Sequence, residues 1–232
     1  MGKAVIIACD FKNKQDTINF LDKFKDEKLF IKIGMELFYS EGPEIINEIK
    51  KRGHKIFLDL KLHDIPNTVE KAMRSLANLN IDMCNVHAAG TKAMMESGLR
   101  GLTKEDGSRP ILIAVTQLTS TSEDRMKEEL LIDKPIEDVV LHYAKNTKEA
   151  GLDGIVCSPL EVQAVKQNCG ENFITVTPGI RFEAKDAGDQ VRITTPKKAK
   201  ELGSDYIVVG RPITGATDPV EVYHRCVKDF CN

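Results

Sequence analysis

Eight short runs rich in Val, Ile and other apolar residues recur along the chain, at 4–10, 29–34, 55–61, 81–87, 110–117, 153–157, 173–177 and 205–210. Each has the length of a β-strand, and each is followed by a stretch able to hold a helix. Strand-then-helix repeated eight times predicts an all-parallel sheet that closes on itself. An open doubly wound sheet would use fewer strands or a glycine-rich first turn, and the first run ends Cys9-Asp10-Phe11 with no GxGxxG after it. The fold class expected is therefore α/β, a (β/α)8 TIM barrel, with residues 1–232 forming a single domain. The 232 residues fit the usual length of such a barrel, roughly 250.

Punctuation between the runs agrees with this layout. Pro66 stands where a helix can begin without wasting a backbone N–H, and Gly151 and Gly203 stand where helices end before strands. No repeat, linker or low-complexity tract divides the chain. Two connections, 118–135 and 178–194, are longer than average and follow strands, so they fall on the face where barrels carry their active sites.

Composition narrows the function. Hydrophobic residues make up 41% and charged residues 29%, with a formal net charge of −2. That is ordinary globular composition without a basic field for nucleic acid or a membrane surface. A small anionic ligand would have to be held by a few well-placed Lys and Arg. The apolar stretch 4–9 is too short for a signal-peptide core or a membrane span, and Ile6 stands where a myristoylation signal needs Ser or Thr. A soluble cytoplasmic protein is expected. None of the six cysteines forms a CxxC pair, and Cys9, Cys84 and Cys157 fall inside apolar runs, so they read as small reduced core residues.

The chemistry concentrates in residues 57–66, FLDLKLHDIP. Strand side chains alternate, so Phe57, Asp59 and Lys61 share one side while Ile56, Leu58 and Leu60 share the other. The aliphatic side must meet the helices. Asp59 and Lys61 then point into the barrel at its catalytic end, with Asp64 on the loop beyond. Asp10 ends the first strand, and Lys32, in phase with Phe30, turns away from Ile31 and Ile33. A buried ion pair with Asp64 capping a helix is the purely structural alternative. Two lysines and three aspartates at adjacent strand ends nevertheless form a network that stability alone rarely justifies. Late in the chain, Pro178-Gly179-Ile180-Arg181 and Gly210-Arg211 follow the seventh and eighth strands, a frequent phosphate site in barrels. Gly210 permits close backbone approach, and each guanidinium offers a planar fork to phosphate oxygens.

The order Asp10, Lys32, Asp59-x-Lys61-x-x-Asp64, Thr119, Pro178-Gly179-Ile180-Arg181, Gln190 and Gly210-Arg211 resembles the orotidine 5′-monophosphate decarboxylase family in its short, free-standing bacterial form. The likeness runs over essentially the whole chain. It implies that Lys32, Asp59, Lys61 and Asp64 form an alternating charge tetrad, with Asp64 supplied by the neighbouring subunit of a homodimer. It also implies that Asp10, Lys32 and Thr68 hold a ribose, Thr68 again from the partner. Asp59 and Ile65 join the substrate contacts, Thr119 and Gln190 lie near the pyrimidine or its closing loops, and Arg181, Gly210 and Arg211 hold phosphate. No metal or cofactor is implied.

DxKxxD is shared with magnesium-dependent sugar-phosphate decarboxylases and aldolases of the same barrel group, but these place a carboxylate for the metal at the strand-two position. Lys32 stands there, and an ammonium repels a hard cation. A Schiff-base aldolase would need a neutral Lys61, and two flanking aspartates push the other way. A non-catalytic phosphate-ligand barrel would leave the charged cluster without a purpose. His63 and His87 are expected to make structural hydrogen bonds, and Met94 and Met95 to serve in packing.

Overall fold

The computed structural model describes residues 2–182 and 193–232. Eight parallel strands close in sequence order, β1 (Ala4–Ala8), β2 (Phe30–Gly34), β3 (Lys55–Leu62), β4 (Met83–His87), β5 (Ile111–Val115), β6 (Gly154–Val156), β7 (Ile174–Thr177) and β8 (Tyr206–Val209). Every expected run is a strand, trimmed by a few residues at its ends except for β3, which runs one residue further. β1 pairs with β2 through Ile6 and Phe30 and with β8 through Ile6 and Val208, so no edge remains unpaired.

Alternation builds two cores from the same strands. Inward residues, among them Ile6, Phe30, Phe57, Met83 and Ile113, fill the barrel. Outward residues such as Ile7, Ile31, Leu58 and Cys84 pack beneath the helices. Met94 and Met95 lie in this outer core, as expected. No disulfide joins the cysteines among the described residues, and five of the six are buried, with burial pushing the Cys84 thiol up to about 12. The helix after β3 begins at Pro66, while Gly151 and Gly203 close helical segments at φ 83° and 93°. The long connection 118–135 holds the helix Glu123–Leu130, capped at its N-terminus by Ser122. Polar residues at that end of the segment had no apolar stripe strong enough to announce it.

The strand N-termini carry a recurring device. Asp82, just before β4, accepts the Ile56 N–H of β3 at 2.7 Å. Asp153, before β6, accepts the Leu112 N–H of β5 at 2.8 Å, and Asp205, before β8, accepts the Thr175 N–H of β7 at 2.7 Å. Each carboxylate is also paired with a cation that precedes the first strand of its pair: Lys50, Arg109 and Lys166 respectively. These clasps satisfy backbone donors that the parallel ladder leaves at its lower rim.

The helices Pro66–Ala77 and Thr91–Leu102 cross so closely that a Cβ on Gly101 would lie 2.1 Å from the Glu70 carbonyl oxygen. Gly101→Ala should therefore lower stability by about 1–3 kcal/mol in urea unfolding, because backbone must move to admit the methyl group. A gain in stability would mean that alanine's better helix propensity, worth about 1 kcal/mol, outweighs the clash.

Candidate active site

The inward columns of side chains change character from bottom to top. On β3 they run Phe57, Asp59, Lys61, and on β2 Phe30, Lys32. On β4 they run Met83, Asn85, His87. Apolar residues fill the lower barrel, and polar ones begin where the C-terminal loops leave the strands. A cavity of about 230 Å³ opens there, lined by Lys32, Asp59, Lys61, Gln117, Thr119 and Pro178 among others. A larger hollow of about 820 Å³ lies at the opposite end, around Lys3, Lys55 and Asp82. The smaller cavity holds the concentrated chemistry, on the face where barrel loops gather.

The charges at its floor form a chain of alternating sign. Asp10 Oδ1 lies 2.8 Å from Lys32 Nζ, Lys32 Nζ lies 3.4 Å from Asp59 Oδ2, and Asp59 Oδ1 lies 2.7 Å from Lys61 Nζ. Burial alone would depress the Lys32 ammonium, but the Asp59 and Asp10 carboxylates outweigh it and hold its pKa above the ordinary lysine value. Burial would likewise raise Asp59, yet Lys32, Lys61 and the Asn85 amide together bring its carboxyl below the usual range. The two most buried of these charges, Lys32 and Asp59, are thus kept ionised by their neighbours. Gly34 at the end of β2 is part of this design, since a Cβ there would lie 2.9 Å from Asp10 Oδ1 and 3.2 Å from Lys32 Nζ.

Lys61 sits on an irregular strand. The β3–β4 register passes from Leu58 opposite Cys84 to Leu62 opposite Val86, and Lys61 has a φ of 52°. That left-handed conformation is uncommon outside glycine and persists where surrounding contacts impose it. The expected inward direction of Lys61 is correct, but simple alternation does not anticipate this bulge.

The remaining expected residues divide into two groups. Thr119 is buried and lines the cavity. Arg181 is buried, with Nη1 donating to the Ile180 carbonyl at 2.8 Å, and Ile180 bridges to Thr194. Gly210 precedes the one-turn helix Arg211–Thr214, where Arg211 is exposed. Gln190 lies outside the described residues. Asp64, Ile65 and Thr68 are all exposed and do not line the cavity of their own chain. Asp64 Oδ1 accepts the Ile65 N–H at 2.6 Å, and the helix Pro66–Ala77 is not capped by its side chain. Within one chain, then, Asp10, Lys32, Asp59 and Lys61 come together and Asp64 does not.

The hydrogen-bonding role expected for His63 and His87 is not found among the described residues. Their rings instead lie 5.7 Å apart, and burial, together with His63 and Lys61, holds the His87 pKa below its ordinary value. Sequence reasoning missed Asn85 and Gln117. Both follow from the phase rule that found Lys32, because Met83 and Val115 are inward and each lies two residues before one of them.

Fold and site define a parallel barrel whose C-terminal mouth presents a compensated charge cluster to the cavity. The chain belongs to the orotidine 5′-phosphate decarboxylase / HUMPS family, whose model matches residues 3–226. It is 61% identical over 226 residues to the orotidine 5′-phosphate decarboxylase of Bacillus cereus (strain AH187), covering 96% of this chain and 95% of that one. Among solved structures it resembles orotidine 5′-phosphate decarboxylase from Lactobacillus acidophilus, with 45% identity, a TM-score of 0.88 and coverage of 99% and 100% of the two chains. An uncharacterized conserved protein from Geobacillus kaustophilus is similar at 48% identity and a TM-score of 0.87, over 97% of this chain and 99% of that chain.

The low carboxyl pKa of Asp59 carries a stability consequence. A group depressed on folding contributes above its unfolded value, about 4, and the contribution is lost as pH falls through the folded value. Asp59→Asn should cost about 3 kcal/mol at neutral pH, since it takes the carboxylate from Lys61 and leaves the buried Lys32 with Asp10 alone. The difference from wild type should shrink below about pH 4 in urea unfolding. A difference that stays constant with pH would remove the carboxylate charge from this account.

Proposed function

We propose that this chain decarboxylates orotidine 5′-monophosphate to UMP and CO2, a step of pyrimidine nucleotide synthesis. The carrying observation is the ammonium of Lys32, fixed between Asp10 and Asp59 where a magnesium-dependent relative would need a carboxylate. That arrangement places a cation where the metal would bind, which speaks against the enediolate chemistry of sugar-phosphate enzymes in the same family. The names and full-length similarity of the curated relatives support the nucleotide reading.

Loss of CO2 from C6 leaves a vinyl carbanion that the pyrimidine ring delocalises poorly, so its stabilisation is electrostatic. Lys61 neutralises the carbanion as it develops and then donates a proton from Nζ to C6. Asp59, 2.7 Å away, pairs with that ammonium and aims it. A unit charge pair at ~4 Å with an effective dielectric near 20 is worth about 4 kcal/mol before desolvation. Asp10 and Lys32 hold the ribose, with Asp59 and Ile65 among the substrate contacts, Thr119 and Gln190 towards the base, and Arg181, Gly210 and Arg211 at the phosphate. Binding energy from that remote phosphate orients the ring for the chemical step. The reaction asks for no metal or organic cofactor. The protein works in the cytoplasm, in line with cysteines that form no disulfides. Among the described residues no helix is long and apolar enough to cross a membrane.

The site is completed by a second copy of the chain, with Asp64 and Thr68 entering the neighbour's cavity. The exposure of both, and of the apolar Ile65 between them at 65%, supports this reading. Nucleic acid and membranes have no part in it.

Purified protein should convert orotidine 5′-monophosphate to UMP, followed by the loss of substrate ultraviolet absorbance, and retain full activity after exhaustive chelation. Lys61→Ala should abolish turnover while UMP still binds. Dependence on added magnesium, or a near-wild-type rate for Lys61→Ala, would overturn the mechanism.

Subunit exchange tests the dimer. Lys61→Ala and Asp64→Ala proteins are each expected to be inactive, but a mixed two-fold dimer has one site with both lesions and one with neither. Random mixing should restore about a quarter of wild-type activity. No recovery, once exchange is verified with a tagged subunit, would place Asp64 in its own chain's site.

A further inference from the structure

Asn85 lies on the inward column of β4 between Met83 and His87 and is 1% exposed. Both ends of its amide are engaged. Nδ2 donates to Asp59 Oδ1 at 2.7 Å, and Oδ1 accepts the Lys61 backbone N–H at 2.8 Å. The second bond falls where the β3–β4 ladder is irregular: from Leu58 to Leu62 is four residues, whereas from Cys84 to Val86 is two. At that slip the Asn85 side-chain carbonyl is the acceptor for Lys61, whose φ of 52° needs support from its surroundings. One amide therefore grips the carboxylate that pairs with the Lys61 ammonium and the backbone from which that ammonium extends.

We infer that Asn85 is a positioning residue of the decarboxylation, fixing Asp59 and the Lys61 backbone together and so setting where the ammonium points. The inference rests on the function proposed above. Residue type matters at this position. A hydrophobic residue would leave the Lys61 N–H and one Asp59 oxygen without this partner, and an aspartate would set a second carboxylate against the first. The charged and titratable groups around the amide are Asp59 and Lys61 from β3, Lys32 from β2 with Asp10 beyond it just after β1, and His87 on β4 with His63 against it. The neutral Val115 at the end of β5 and Gln117 just after it face the same cavity.

The test compares wild type with Asn85→Ala and Asn85→Asp in kcat for orotidine 5′-monophosphate, UMP affinity and thermal unfolding. Asn85→Ala should lose ~100-fold in kcat, the scale of a small misplacement at a reacting centre. Its UMP affinity should change by less than about threefold, because the phosphate contacts are elsewhere. Asn85→Asp keeps the volume and the acceptor for Lys61. At neutral pH it should be similarly slow, but at lower pH the two carboxylates share a proton and the new O–H donates to Asp59 as the amide did. The ratio of its kcat to that of wild type should rise about tenfold from about pH 8 to pH 5. A residue that served folding alone would not produce that rise.

Wild-type protein that leaves orotidine 5′-monophosphate untouched overturns the proposed function and this inference with it. Active wild type with both variants within about threefold of its kcat overturns the inference alone. A flat pH ratio for Asn85→Asp, a parallel loss of UMP affinity, or failure of both variants to unfold cooperatively would make Asn85 structural and would equally overturn it.

Discussion

A carboxylate buried in the mouth of a barrel must be compensated, and the arrangement of this protein's upper half follows from how Asp59 is compensated. Its two oxygens face Lys61 on one side and Lys32 on the other, and Lys32 in turn faces Asp10. Each ion is tolerable because its neighbours are present, so the chain stands or falls as a unit. The backbone has been fitted to it. The glycine that ends β2 leaves room for the tips of the Asp10–Lys32 pair, which a side chain there would push aside, and β3 slips against β4 where Lys61 turns.

The same compensation explains how a cation can be stored ready for use. An isolated buried ammonium would tend to shed its proton, whereas Lys32 is held above the ordinary lysine range by the carboxylates on either side. A charge preorganised in this way needs little rearrangement to meet a ligand. The apolar lower barrel closes the cavity from below: Phe57 lies two residues before Asp59 on the same face of β3, and Phe30 two before Lys32 on β2.

Much of this was legible from alternation alone. A period of two placed Asp59, Lys61 and Lys32 inward, and eight repeats of strand and helix predicted closure. Reading failed where the chain departs from regular geometry or where a residue acts through its neighbours. The left-handed Lys61 has no signature in the letters around it, because lysine carries no conformational cue of the kind glycine does. Asn85 was overlooked because an amide bears no charge and draws notice only once both of its partners are in place. Asp64 was legible as a loop residue, but its distance from Lys61 in its own chain is a matter of loop geometry that pattern does not encode. The histidine pair illustrates the converse: hydrogen bonds were expected from residue type, and ring contact is what packing supplies.

At the other end of the barrel, the aspartate clasps bind β3 to β4, β5 to β6 and β7 to β8, each with a cation drawn from just upstream of its pair. All members of a clasp therefore lie within one continuous stretch of chain containing two strands. An exchange of genetic segments between related barrels that cuts after β4 or after β6 carries every clasp across whole. A cut between β3 and β4 instead leaves an aspartate in one parent's sequence and its backbone donor in the other's. With respect to these three clasps the unit that stays intact is the pair of strands rather than the single strand and helix, although the Leu29 N–H donated to His54 also ties the base of β2 to that of β3.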